Sequence, residues 1–271
     1  TVGGGCVKLL TENADIIAAR AGRTRELVAV SALEKQRAAE LGIGGVRFFD
    51  NAVDMARETD ADVVIELIGG AEGIARQVCE TALNHKRHLV TANKALLARH
   101  GNALAALAEK NARALSFEAA VAGGIPIIKA LREGLAANRL TRVYGILNGT
   151  CNYILTTMRK TGRSFDEILK EAQALGYAEA DPRMDIDGID AAHKLALLAA
   201  LAFGTPIDFE RVYIEGVRAI TPTDIAYAEE LGYRIKLLGS ARLTDDGLEQ
   251  RVHPCMVEIG TSSFYSAIRD A

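Results

Sequence analysis

The chain has 271 residues, of which 49% are hydrophobic and 25% charged, and a net charge of −3. That length suffices for two domains with real cores, and the near-neutral balance gives no electrostatic case for nucleic acid or an anionic membrane. Apolar runs stop short of the ~20 residues a membrane helix needs, and nothing in the opening residues points to export. Cys6, Cys79, Cys151 and Cys255 lack CxxC spacing, so reduced thiols in a cytoplasmic protein are expected.

The sequence opens Thr1-Val-Gly-Gly-Gly5, followed by a helical pattern to about Arg20 and a β-rich segment from Glu26 to Ser31. Helix, turn and strand make half of a βαβ unit that lacks its first strand. With that strand restored, Gly3 would be the third glycine of a GxGxxG fingerprint, opening the helix where a pyrophosphate sits. The same run also reads as a flexible start. The expectation is a chain cut inside a coenzyme fingerprint. No acid follows Val30 to grip a ribose 2′-hydroxyl, whereas Lys35 and Arg37 lie close behind. These bases lean toward a 2′-phosphate and NADP, unless they are only solvated helix charges.

Residues 60–70, Asp-Ala-Asp-Val-Val-Ile-Glu-Leu-Ile-Gly-Gly, read as a parallel strand buried on both faces and ending in two glycines. A helix over 74–84, a strand from His88 ending in polar Thr91–Lys94, a helix over 95–111 and a strand over 114–118 continue the alternation. That rhythm predicts a doubly wound parallel sheet. Ligands of such sheets bind outside the carboxyl ends of strands, where Gly69-Gly70 and Thr91–Lys94 fall.

Past Val121-Ala-Gly-Gly-Ile-Pro126 the rhythm changes. Helices are expected over 126–138, from about 148 to 161, and over 164–175; strands are expected over 142–147, 212–220, 234–243 and 248–258. This is an α+β pattern with helices on one face of a mixed or antiparallel sheet. The predicted division is 1–120 for a dinucleotide-binding domain and 121–271 for a substrate-binding and dimerisation domain.

Within the second part, Ala172–Lys194 gathers Glu179, Asp181, Asp185, Asp187, Asp190 and Lys194. Gly176 ends a helical pattern, Pro182 blocks a restart, and Asp187 stands where an N-cap is expected. Asp190 and Lys194, four apart, share a helix face, and the helix beyond them is apolar nearly all round and so predicted to be buried. A solvated ion pair is the bland alternative. A calcium loop is excluded, because aligning Gly188 with its glycine places Arg183 and Lys194 at ligand positions.

The string Ala172-x3-Gly176-Tyr-Ala-x2-Asp181-Pro182-x2-Asp185-Ile-x-Gly188-x-Asp190-x3-Lys194 resembles the signature of homoserine dehydrogenases. Thr91-Ala-Asn-Lys94, Phe117–Pro126 and Gly145–Leu155 extend the resemblance in order along nearly the whole chain. It implies a Rossmann-type nucleotide-binding domain, a second α+β domain, and a homodimer formed through the second sheet. It also implies NAD(P)H-dependent reduction of aspartate 4-semialdehyde to homoserine, a step toward threonine and methionine. Members of this family normally continue past residue 271.

On this reading Lys194 is the candidate acid and Lys94 its partner at the reacting oxygen. Glu179 and Asp190 would hold the substrate ammonium, with Asp185 supporting the acidic pocket. Asn148, Gly149 and Thr150, at a helix start, would receive the substrate carboxylate, or simply cap the helix. Thr1, Val2, Gly3, Lys94 and Gly176 make up the coenzyme set. Glu118 with the carbonyls of Val121, Gly123 and Ile125 matches the family's monovalent-cation (sodium or potassium) site. Two rivals remain at this level. One is a semialdehyde dehydrogenase forming a thioester on Cys151, whose helix-start position would lower its pKa. The other is a non-catalytic nucleotide-binding module.

Overall fold

Short strands and helices make up the first 121 residues, and the computed structural model pairs the strands in parallel throughout that stretch. Residues 2–36, 40–43 and 45–260 are described. They fall into two compact units, Thr1–Ile125 and Pro126–Ala271. The fold class is α/β, as expected, and the described strands form no barrel.

In the first unit, helices α1 (Val2–Glu12) and α2 (Ala14–Ala21) precede β1 (Ala29–Ser31), which pairs with β2 (Arg47–Phe49). Helix α3 (Ala52–Glu58) starts at Asn51, whose side chain accepts from the Val53 and Asp54 amides. Neither β2 nor α3 was anticipated: a three-residue strand has too few positions to show a period. Strand β3 (Val63–Glu66), helix α4 (Ile74–Asn84), strand β4 (His88–Thr91), helix α5 (Lys94–Lys110) and strand β5 (Leu115–Ser116) follow, with sheet order β3-β4-β5. The expectation that β3 is buried on both faces fails. Val64 and Glu66 are buried, but Val63 is 45% and Ile65 39% exposed. Among the described residues β3 pairs with β4 alone, so its inward and outward positions alternate as at a sheet edge.

Short helix α6 (Glu118–Val121) ends this unit. In the second unit the single helix expected over 126–138 is instead α7 (Ile127–Lys129) running into a π-turn, Ala130–Gly134. There the Leu135 amide donates to Ala130 O, five residues back, which widens the helix and stops it. Strand β6 (Arg142–Gly145), helices α8 (Gly149–Thr161), α9 (Phe165–Ala174), α10 (Arg183–Ile186) and α11 (Ile189–Phe203), strand β7 (Tyr213–Ile214), helix α12 (Pro222–Glu230) and the long hairpin β8 (Tyr233–Thr244) and β9 (Gly247–Glu258) complete it.

The second sheet has order β6-β8-β9-β7, antiparallel except for the parallel β7–β9 pair. Its core brings Ile154, Leu155 and Met158 of α8 and Leu195, Ala196 and Ala199 of α11 together with Leu237, Ala241 and Val252 of the hairpin. The expected strand over 212–220 shrinks to two residues because the chain leaves the sheet after Glu215, whose amide still donates to Val252 O of β9, to cross at Ile186, where Val217 N–H donates to Ile186 O at 2.9 Å. Helix α12 was not anticipated, although Thr221-Pro222-x-Asp224 spells a capping box with proline in the first turn. No helix among the described residues is long and apolar enough to cross a membrane.

Lys236 on β8 is only 4% exposed, and its ammonium donates to Asn152 Oδ1 at 2.6 Å and Thr156 Oγ1 at 3.3 Å. Burial, with lesser repulsion from Arg159 and Arg234, lowers its pKa to about 8. Between that value and the ordinary lysine range the unfolded chain binds more protons than the folded one. Stability therefore gains from this group as pH rises through that window, by at most about 1.4 kcal/mol per pH unit. Denaturant titrations between pH 8 and 10 should show this positive contribution in the parent relative to Lys236→Met; identical slopes would refute it.

Candidate active site

Helix α9 stops in a left-handed turn. Gly176 has φ 76°, its amide donates to Gln173 O, and the Tyr177 amide donates to Ala172 O at 2.8 Å, which is a Schellman closure. The chain then makes the short turn α10 and, through left-handed Gly188 (φ 83°), enters α11. This corrects the expectation that Asp187 is the N-cap. The cap is Gly188, whereas Asp187 closes α10 and accepts from the Arg218 guanidinium. Insertion of α10 shifts the start of the helix by a residue. Lys194 nevertheless stays one turn beyond Asp190.

Asp190 and Lys194 therefore meet as helical geometry requires, with Nζ 2.8 Å from Asp190 Oδ2, and the ammonium also donates to Leu147 O at 2.9 Å. The side chains are 8% and 19% exposed, so this is no solvated surface pair. Asn148, 42 positions before Asp190, joins them: its Nδ2 donates to Asp190 Oδ2 at 3.1 Å and to Asp185 Oδ1 at 2.8 Å. Its Oδ1 accepts from the Cys151 amide, capping α8. The helix-cap reading of Asn148 thus holds in the geometry, and the same side chain orders two carboxylates. The Thr150 hydroxyl lies 3.0 Å from both Asp185 Oδ2 and Tyr177 O, with one proton to give. Gly149 is the exposed first residue of α8.

Of the predicted site residues in this unit, Asn148, Thr150, Asp185, Asp190 and Lys194 form one network. Glu179 stands outside it, exposed, with its backbone carbonyl accepting from Gln173 Nε2 at 3.1 Å. Asn148 thus gathers two carboxylates, Asp185 and Asp190, beside one ammonium, which Asp190 holds. An ammonium has three protons, and Lys194 directs two of them at protein oxygens.

Cys151 is fully buried, its thiol donates to Asp185 O at 3.2 Å, and burial followed by the charges of Asp185, Asp190 and Asp187 pushes its pKa up to about 12. A thiol so held is no nucleophile. The thioester reading is therefore dropped: the helix start that would favour a thiolate is outweighed by desolvation and three carboxylates.

In the first unit, Lys94 is the first residue of α5, which Asn93 caps through a 3.0 Å bond from Leu96 N. Gly69 and Gly70, with φ 90° and 82°, turn left-handed beyond β3. These loops lie at the carboxyl ends of neighbouring parallel strands, as a dinucleotide site requires. Val2 and Gly3 form the first turn of α1, and Thr1 lies outside the described residues. Lys35 sits with Nζ 5.0 Å from the Phe48 ring centroid, and Arg37 is outside the described residues. Glu118 opens α6, buried Val121 closes it, and Gly123, left-handed Gly124 and exposed Ile125 form the turn beyond. Among the described residues no group of three or more His, Cys, Asp or Glu is placed to hold a metal. A cation site of one carboxylate and backbone carbonyls is of a different kind. Sequence reading missed Glu66, which is 1% exposed at the end of β3; its one signal was an acid inside an otherwise apolar strand.

The family model described as "Homoserine dehydrogenase" matches residues 126–268, and that described as "Homoserine dehydrogenase, NAD binding domain" matches residues 1–118. The homoserine dehydrogenase of Neisseria gonorrhoeae is 52% identical over 257 residues, which cover 95% of this chain and 59% of that protein. A crystal structure of a homoserine dehydrogenase from Thiobacillus denitrificans superposes with TM-score 0.91 at 52% identity, over 95% of this chain and 59% of that one. A hyperthermophilic archaeal homoserine dehydrogenase, solved in complex with NADPH, superposes with TM-score 0.67 at 26% identity over 84% of this chain and 66% of that one. The chain thus spans about three fifths of the length of the curated relatives it matches.

Proposed function

This chain belongs to the homoserine dehydrogenase family, and on that premise we propose that its protein reduces aspartate 4-semialdehyde to homoserine with NAD(P)H, a step toward threonine and methionine. The observation that carries the reading is the Lys194 ammonium, held by Asp190 and Leu147 O with one N–H left for a ligand. The first unit's parallel strands and left-handed glycine loop suit a dinucleotide, and the reduced nicotinamide, when bound, supplies hydride to the aldehyde carbon. Negative charge then grows on the aldehyde oxygen. Lys194 delivers the proton and, at 19% exposure, recovers one from solvent. Asp190 holds the ammonium and aims it. Lys94, at the start of α5, is the second cation proposed for that oxygen.

The substrate's own ammonium is assigned to Glu179 together with the acidic side of the network, Asp190 and Asp185. Its carboxylate is assigned to the start of α8, where Gly149 and Thr150 present backbone N–H groups. Val2, Gly3 and Gly176 belong to the proposed coenzyme contacts, with Lys35 favouring NADP over NAD. A sodium or potassium ion at Glu118 and the 121–125 turn completes the site. The protein is further proposed to be cytoplasmic. It is also proposed to dimerise through the second sheet, whose strands expose Tyr144, Tyr213, Leu243 and Met256; light scattering that returns a single-chain mass would overturn the dimer.

The test is turnover of the full-length polypeptide with aspartate 4-semialdehyde, using NADPH and NADH in parallel. Coenzyme consumption that depends on the aldehyde supports the reading, and binding without turnover would favour a nucleotide-binding module. In the same assay Glu179→Gln should raise the aldehyde KM by about tenfold or more, the loss expected on removing a charged partner, and leave coenzyme affinity alone. An unchanged KM and kcat would remove Glu179 from the site.

A further inference from the structure

We infer that Glu66 is a positioning residue, whose buried carboxylate locks together the two loops that follow β3 and β4 and so sets the coenzyme end of the first unit. The inference rests on the dinucleotide-binding part of the reading above.

At 1% exposure, Glu66 has no cation paired with it among the described residues. Burying an unpaired carboxylate is costly unless its oxygens are satisfied. Every donor to them among the described residues comes from the loop after β3 or from the last residue of β4. Oε1 accepts from the Ile68 amide at 2.7 Å and the Gly69 amide at 3.1 Å, while Oε2 accepts from the Thr91 hydroxyl at 2.5 Å. Thr91 Oγ1 in turn accepts from the Asn93 amide at 3.0 Å, and Asn93 Nδ2 donates to Gly70 O at 2.7 Å. The ring closes: Glu66, the 68–70 turn, Asn93, Thr91 and back to Glu66. Asn93 Oδ1 caps α5 at the Leu96 amide, so the first turn carrying Lys94 is fixed by the same ring.

A simple core role does not account for this arrangement. An apolar side chain would fill the space, but it would leave two backbone N–H groups and a buried hydroxyl without acceptors. The glycines at 69 and 70 are both left-handed and confer no stiffness of their own. The carboxylate holds a loop that otherwise has many conformations in the one that suits close approach of a ligand.

The experiment compares the parent, Glu66→Gln, Thr91→Val and the double variant in the full-length polypeptide, reading NADPH and NADH affinity by fluorescence alongside kcat, aldehyde KM and melting temperature. Glutamine still offers one oxygen to the two amides but presents an NH2 to the Thr91 oxygen, which removes the acceptor of the Thr91 hydroxyl proton and weakens the ring at that bond. We expect coenzyme Kd to rise by about tenfold or more and kcat to fall, with aldehyde KM within about twofold. The double variant should be no worse than the poorer single one, because both remove the same bond from the Thr91 hydroxyl to the Glu66 carboxylate. If the variants melt earlier but bind coenzyme and turn over as the parent does below the transition, Glu66 is merely structural and the inference fails. Should Glu66→Gln not fold, Thr91→Val, which leaves two of the carboxylate's bonds intact, decides on the same readouts. A parent that binds coenzyme but does not reduce the aldehyde overturns the proposed reaction alone, and the affinities still judge Glu66. A parent that binds no coenzyme overturns both.

Discussion

Lys194→Ala is expected to lower kcat by about 10²–10⁴-fold, the range general acid catalysis supplies, while coenzyme affinity stays near that of the parent. The contrast follows from location: Lys194 lies in the second unit, whereas the matched coenzyme-binding region is residues 1–118. Lys194→Arg should not rescue, since a guanidinium is bulkier than the ammonium seated between Asp190 and Leu147 O and effectively never gives up its proton. A structural ion pair predicts the opposite profile, with melting temperature reduced and turnover kept. Steady-state kinetics and thermal melts on the same preparations separate the two. Turnover within a few-fold of the parent in folded Lys194→Ala would move the proton-donor role to Lys94.

The second large effect is expected from a residue outside the network. A Cβ added at Gly216 would lie 2.2 Å from Ile186 O and 2.5 Å from the Asp187 Cα, both backbone atoms that cannot swing aside as a side chain would. Gly188 is hemmed in from the same direction by Ile214 and Val252, each 3.2 Å from an added Cβ. The close approach of Gly216 to Ile186 lies one residue from Asp185, whose carboxylate meets Asn148 and Thr150, so a shift forced here is expected to reach the site. Gly216→Ala should destabilise the protein by about 1–3 kcal/mol through overpacking. Where it folds, it should also lower kcat by about 10²-fold, the loss associated with misplacing a site by ~1 Å. Gly204→Ala, where nothing lies within 4 Å of an added Cβ but φ is 65°, serves as a control for backbone strain alone. A folded Gly216→Ala variant with parental kcat would show that the crossing does not govern the site.

Much of this protein was legible in its residue order. Helices Ile74–Asn84 and Lys94–Lys110 and the Tyr233–Glu258 hairpin appear where their periodicity places them, since apolar spacing is a local property of the chain. The Asp190–Lys194 pair was equally determined: four residues apart on a helix leaves little choice about which side chains meet. What periodicity could not supply depends on partners distant in sequence. Strand Arg47–Phe49 exists because β1 runs beside it, and the run from 212 shrinks to Tyr213–Ile214 because the chain must cross Ile186. Cys151 at a helix start reads as activated until tertiary packing buries it beside carboxylates from another segment. Asn148 reads as a cap, and only the fold brings Asp185 and Asp190 to its other side. Glu66 reads as the last polar residue of a strand until burial and the Thr91 hydroxyl show what its charge is for. The sequence by itself determined the long periodic elements and the lysine–carboxylate pair, because both are set within a few residues of chain. The tertiary structure decided which polar groups are buried and which donors meet them, because desolvation and hydrogen bonding act on whatever the fold brings within about 3 Å.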